Sequence, residues 1–219
     1  MYSRVCNIQT PVRLETVFMV ADYFLALPVL SHSLDRTLAN VPNFSLGIPF
    51  AAPNLIKKAT KLHHAALFRE CLIWIIGPHK NPVFLSMPED TPDNRKIKQL
   101  AEKVHGQVCV KIAQAEKTLM ELCFSGPLGL PIANHRAWSA NASLGYDGEV
   151  SLAMYYRKMI TYSGPGQDAV RQVLRPLLQK KLTLDRSGLG AGESRFADHF
   201  FCVEIDDEEL PWDLKQIDF

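Results

Sequence analysis

The sequence predicts a mostly α fold, an array of helical hairpins with one long helix and a short late β element. Three observations carry this expectation. Apolar side chains recur at three- and four-residue steps through residues 12–40 and 54–78, the period of a helix with one buried face. The same period runs between charged residues across 94–123, long enough for a single rod. Only residues 200–205 combine aromatic and β-branched side chains in a short strand-like run.

Taken in order, Leu14, Val17, Phe18, Ala21 and Leu25 share one face of a first helix. Pro28 lacks an amide proton and interrupts the pattern, and a second helix then carries Val29, Leu30, Leu34, Leu38 and Val41. Residues 42–53 hold Pro42, Gly47, Pro49 and Pro53 and are expected as a loop. Asn54 is expected to cap a short helix through 57–62, with a turn at His63 and His64. Residues 66–76 are almost wholly apolar, so that helix belongs at the centre, and Gly77 and Pro78 end it. Residues 79–93, with Pro82, Pro88 and Pro92, read as an exposed connection.

Asp93 or Asn94 is expected to cap the long helix over 94–123. Its inner stripe is Ile97, Leu100, Ala101, Val104, Val108, Ile112, Ala115, Leu119 and Leu122. At 1.5 Å per residue the rod spans on the order of 40 Å. Residues 125–148 are rich in Gly, Pro, Asn and Ser and form the best internal boundary. The organisation expected is therefore a helical domain over 1–124, a linker over 125–148 and a smaller helical segment with an acidic tail over 149–219. Within the last, Val150, Met154, Tyr155 and Ile160 mark one helix, Gly164-Pro165-Gly166 a turn, and 168–182 a helix that Pro176 interrupts. The Gly-rich stretch 187–194 reads as a mobile linker.

At 219 residues the chain suits one large domain or two small ones, and 47% hydrophobic against 21% charged residues excludes wholesale disorder. The net charge of +1 gives no general attraction to nucleic acid or to a membrane surface. Charge is uneven, however: residues 200–219 hold seven acidic groups and one basic one. Cys6, Cys71, Cys109, Cys123 and Cys202 form no close pair, which fits an intracellular setting, cytoplasmic or nuclear, better than a disulfide framework. The sequons at Asn43 and Asn141 are accordingly expected to stay unmodified. No apolar run is long enough for a membrane span.

Candidate chemistry is sparse. Ser187-Gly188-Leu189-Gly190-Ala191-Gly192-Glu193-Ser194 lacks the preceding strand and the Gly-Lys-Ser/Thr ending of a phosphate cradle. His63, His64, His79, His105, His135 and His199 are read as surface or turn residues, with no His or Cys partner recognised at helical or knuckle spacing. Ser194, Asp198 and His199 lie near one another in sequence, but no nucleophile elbow surrounds the serine. Arg69 and Glu70 sit in the most apolar helix and need partners, expected in the preceding helix or loop. Arg95, Lys96, Lys98 and Lys103 are diluted by Asp93 and Glu102 and lack interleaved aromatics, so they read as a solvated face. No catalytic, cofactor-binding or metal-binding residue is assigned. The partner-binding candidates are Asp206, Asp207, Glu208, Glu209 and Trp212, acidic groups around an aromatic anchor that docks on the chain itself or on a basic partner.

Three stretches carry a family resemblance. Ala21-Asp22-Tyr23-Phe24-Leu25-Ala26-Leu27-Pro28-Val29-Leu30-Ser31 with Ser33-Leu34, the run from Ala59 to Pro78, and the acidic ending from Phe201 to Asp213 resemble segments of fungal BTB/POZ-domain proteins. The resemblance implies that residues 12–40 correspond to the last helical pair of a BTB fold, followed by a BACK-like helical extension. It implies adaptor work: self-association, or service to cullin-type ubiquitin ligases. The strands and dimer helix of a BTB core are expected before Val12, where only eleven residues stand. The chain therefore reads as one lacking that core.

The expected function is a non-enzymatic protein–protein interaction module with an unidentified protein partner. The alternatives are an enzyme with a site in loops 134–146 and 187–199, or a truncated gene product without present function. A deep pocket joining His, Asp and Ser would favour the enzyme, and an exposed apolar stripe the binder.

Overall fold

Thr10 opens the first helix: its hydroxyl accepts from the Arg13 amide at 3.3 Å, and Pro11 follows in the first turn. The computed structural model describes residues 10–41, 44–125, 151–161, 163 and 166–213. The architecture is mostly helical. Helix α1 (Pro11–Tyr23) and α2 (Leu27–Asn40) form the first hairpin. Pro28 does not separate them; it lies in the first turn of α2, and the break is the turn at 24–26.

Helix α3 (Phe44–Lys61) corrects the expected loop. Residues 44–53 form its first half, and Asn54 lies inside rather than at a cap. Pro49 and Pro53 each remove a backbone hydrogen bond, at about 3 kcal/mol in an ordinary helix interior. Against this, Phe44, Ile48, Ala52, Leu55, Ile56 and Ala59 are all buried on one helical face. Each large side chain among them contributes about 1.5–3 kcal/mol by leaving water. Gly47 allows the approach to α1, since a Cβ there would stand 2.7 Å from Pro11 Cδ.

The turn expected at His63 and His64 is present, and His63 takes a left-handed φ of 49°. It leads into α4 (Ala65–Ile76), which packs extensively on α3 and is buried on nearly every side, as its composition implied. Residues 79–91 are not merely an exposed connection: a 3-10 turn at Val83–Ser86 buries Phe84, and Met87 is buried beyond it. The cap of α5 (Pro92–Ser125) is Thr91, whose hydroxyl accepts from the Asn94 amide at 3.2 Å, not Asp93 or Asn94. Proline at the first helical position needs no amide partner there.

Helices α6 (Leu152–Thr161) and α7 (Gln167–Leu178) pack on each other, and α7 packs on α5. Pro176 stays inside α7, which ends at Leu178 rather than near 182. The chain then runs extended, and the Lys181 amide donates to the Phe201 carbonyl at 3.0 Å. The expected late β element is absent as a strand. Residues 200–205 are mostly buried, but the only isolated bridge among the described residues joins Pro78 and His199. The run pairs only singly, the Phe200 amide with the Gly77 carbonyl and the Phe201 carbonyl with the Lys181 amide, too few bonds to make a ladder.

Buried apolar residues from Leu14 to Trp212 make one core cluster. Among the described residues no helix is long and apolar enough to cross a membrane. The region 126–150, which holds the expected linker and the loop 134–146, lies outside the described residues.

Candidate functional site

Helix α1 is apolar on two sides. Its inner face buries Leu14, Phe18 and Ala21. At about 100° per residue, Val12, Met19 and Tyr23 fall together on the opposite side, with Val20 at the flank. All four are exposed, Tyr23 at 82%. A surface helix ordinarily carries polar residues there. The apolar surface continues through Phe24, whose ring meets Tyr23 edge-on at 5.0 Å, then through Leu25 at 88% exposure and Val29 on α2. Among the described residues, nine of the twelve exposed large hydrophobic residues lie between positions 12 and 50. Its rim carries both charge signs: Lys58 reaches Glu15 at 2.7 Å and Lys61 lies 4.0 Å from Asp22.

Leu25 ends α1 in the left-handed region, with φ 53°. Its amide donates to the Asp22 carbonyl at 3.1 Å, and the Ala26 amide to the Ala21 carbonyl at 2.7 Å. These two bonds define a Schellman ending, in which this position ordinarily holds glycine. A leucine there costs about 1–2 kcal/mol in backbone strain and buries nothing. The two-sided apolar character of α1 is legible in the sequence, but the helical period places Leu25 on the inner stripe of the first helix and Val29 on that of the second; both are exposed, Leu25 because α1 ends at Tyr23 and the left-handed turn carries it off that face.

The acidic tail folds against α4 and α5. Arg69 Nε donates to the Ile205 carbonyl at 2.8 Å, and its guanidinium pairs with Asp207. Glu209 pairs with Lys103 at 2.9 Å and also accepts from the Asp206 amide at 3.1 Å, closing a capping box. Trp212 packs between His63 and Phe68, with ring centroids 5.5 and 5.1 Å away. The structure thus ties Asp207, Glu209 and Trp212 to the chain itself and leaves Asp206 and Glu208 exposed.

Beside the tail lies a groove of about 350 Å³ bordered by Arg69, Glu70, Lys181, Thr183, Glu204 and Asp206. Glu70 is 1% exposed and accepts from the amides of Thr183 at 2.8 Å and Leu184 at 3.1 Å. Burial raises its pKa, and those amides oppose the shift. Lys181 pairs with Glu204 across the rim. The partners of Arg69 and Glu70 therefore come from the end of the chain, not from the preceding helix or loop.

The Gly-rich stretch 187–194 is packed, not a free linker. Buried Asp185 accepts from the Ser187 hydroxyl at 2.8 Å and pairs with Lys180 at 2.5 Å. Arg157 on α6 donates to the Ala191 carbonyl at 2.9 Å and pairs with Glu193 at 3.1 Å, and Ala191 is fully buried. Gly192 has φ 75°, and a Cβ there would stand 2.7 Å from the Ala153 carbonyl carbon, closer still to its oxygen. Among the described residues no hydrogen bond joins Ser194, the Asp198 carboxylate and His199. Asp198 accepts from the Lys80 amide at 3.0 Å. His199 lies among Trp74, Phe196 and Phe201, where burial pushes its pKa down to about 4.

One side-chain cluster corrects the reading of the histidines. His105 and Cys109 stand four residues apart on α5, with Nδ1 and Sγ 3.7 Å apart. His79, just past α4, joins them, and the three ligand atoms lie within 4.8 Å of one another. The His105–Cys109 spacing was present in the sequence; the convergence of His79 was not. No family model, curated protein or solved structure matches the chain.

Proposed function

We propose that this chain is a non-enzymatic protein–protein interaction module. Its docking face is the apolar surface of α1, the 24–26 turn and the start of α2, and its occupant is a second copy of the chain. The observation that carries this reading is Leu25, a fully presented leucine held in a backbone conformation that favours glycine. Strain kept on an exposed apolar side chain points to selection for contact rather than stability. The neighbouring Met19, Tyr23, Phe24 and Val29 extend it into a continuous sequence of exposed apolar groups, the kind of surface that marks association sites. The rim charges are matched within the chain, Lys58 with Glu15 and Lys61 with Asp22, so the same patch can face its own copy across a two-fold axis without opposing like charges.

The resemblance to BTB-family adaptors supports interaction work as a class; the self-association and the cullin-ligase service it implies rest on a BTB core rather than on the α1 face. An intracellular setting, cytoplasmic or nuclear, belongs to the proposal and is supported by four unpaired cysteines among the described residues.

Sedimentation velocity from low micromolar to several hundred micromolar tests it. The wild type is expected to shift from monomer to dimer as concentration rises. The double variant Met19→Lys with Leu25→Lys is expected to stay monomeric with an unchanged circular dichroism spectrum. A wild type monomeric throughout, or a variant that still dimerises, overturns the reading.

A further inference from the structure

We propose that His79, His105 and Cys109 form a binding site for a borderline-soft metal ion, with zinc as the natural occupant. The donor set is that of zinc: two imidazoles and a thiolate. With Zn–N near 2.1 Å and Zn–S near 2.3 Å, a tetrahedral N···S edge is about 3.6 Å. His105 Nδ1 and Cys109 Sγ already stand 3.7 Å apart, on adjacent turns of one helix. Their separation already matches the edge that a shared ion requires.

His79 reaches the pair from a backbone held on both sides. The Phe200 amide donates to the Gly77 carbonyl at 2.9 Å, and the His79 amide donates to the Asp198 carbonyl at 2.9 Å. Two ring nitrogens of the cluster, His79 Nδ1 and His105 Nε2, are buried without a hydrogen-bond partner among the described residues. Buried polar atoms are ordinarily satisfied. With His105 bound through Nδ1, an ion can relieve this deficit only at His79, and His105 Nε2 keeps its place against the apolar wall. Phe84 packs edge-on against His105 at 5.4 Å and Phe200 against His79 at 5.5 Å, which walls the site with apolar surface. The fourth position falls to water. The ion would clip the segment after α4 to the middle of α5, two elements otherwise joined through the 3-10 turn at Val83–Ser86.

The test uses the full chain, reduced and stripped of metal, titrated with Co²⁺ and then with Zn²⁺ as competitor. One Co²⁺ per chain is expected, with the visible bands of tetrahedral cobalt and a thiolate charge-transfer band, both displaced by Zn²⁺. Cys109→Ser is expected to abolish the thiolate band. His105→Gln and His79→Gln are each expected to weaken binding at least about tenfold. Cys123→Ala, away from the cluster, keeps the wild-type spectrum. Zn²⁺ should raise the melting temperature of the wild type and leave that of Cys109→Ser unmoved, a readout that also reveals whether the variant has folded. Absence of a thiolate band in the wild type overturns the site, as does a band that survives Cys109→Ser or a Zn²⁺-induced rise in melting temperature equal in both proteins.

Discussion

Trp212 lies face to face with His63, the ring centroids 5.5 Å apart and the planes 9° from parallel. Its edge meets Phe68 on α4 at 5.1 Å, so the end of the described chain closes over the α3–α4 turn. Trp212 is 9% exposed, and Leu210 beside it is also buried. Trp212→Ala removes this plug and is expected to lower stability by about 3 kcal/mol. Urea unfolding followed by circular dichroism checks this through the midpoint. An unchanged midpoint would mean that the tail adds nothing to the core.

Leu25→Gly should stabilise the protein while weakening self-association. Glycine relieves the left-handed strain at φ 53° and preserves both bonds of the helix ending. A gain of about 1 kcal/mol is expected, together with a higher dimer dissociation constant. Thermal melting at low concentration, where the chain is monomeric, separates the two effects.

Two glycines should respond in opposite senses to alanine. Gly192→Ala drives a Cβ into the Ala153 carbonyl from a backbone at φ 75° and is expected to cost at least about 2 kcal/mol. Gly106→Ala sits in the middle of α5 with nothing within 4 Å of the added carbon and is expected to gain about 0.8–1 kcal/mol. Denaturant midpoints of the two variants against wild type decide both.

His64 ties helix capping to pH. Its Nδ1 accepts from the Leu67 amide at 3.1 Å, which requires that nitrogen to be unprotonated, while Nε2 lies 3.1 Å from Asp35 Oδ1. Burial lowers its pKa below the ordinary 6.5, with the Asp35 charge opposing. The unfolded chain therefore takes up the proton first. The stability linked to this group is intact above about 6.5 and is lost as pH falls from there through the lower folded value. His64→Asn keeps a capping acceptor that does not titrate, so its stability relative to wild type should rise as the solution is acidified. His64→Ala should cost about 1 kcal/mol near neutral pH, and less in acid. A wild-type-minus-Asn difference flat with pH would refute the linkage.

Much of the fold was legible residue by residue. Leu14, Phe18 and Ala21 of the α1 stripe, the turn at His63 and His64, the apolar α4 and the long stripe of α5 follow from three- and four-residue spacing, because that spacing decides locally which side can leave water. The prolines misled in one direction: Pro28, Pro49, Pro53 and Pro176 are expected as breaks, and each lies within a helix. Pro49 and Pro53 stand inside α3 because the face from Phe44 to Ala59 is buried against α1 and α4, a gain that no local rule contains. The run at 200–205 has strand-forming side chains but meets a helix end, and β propensity needs a partner strand to be realised.

Of the candidate sites, the sequence by itself determined the ingredients: an α1 apolar on both sides, a His and a Cys four apart on α5, and an acidic segment around Trp212. Tertiary structure alone decided their use. It brought His79 to His105 across 26 positions, turned Asp207 and Glu209 onto Arg69 and Lys103, and left Tyr23 and Leu25 facing outward. The physical reason is that periodicity records which side of one element is apolar, whereas proximity between distant elements is set by how all the buried faces pack at once.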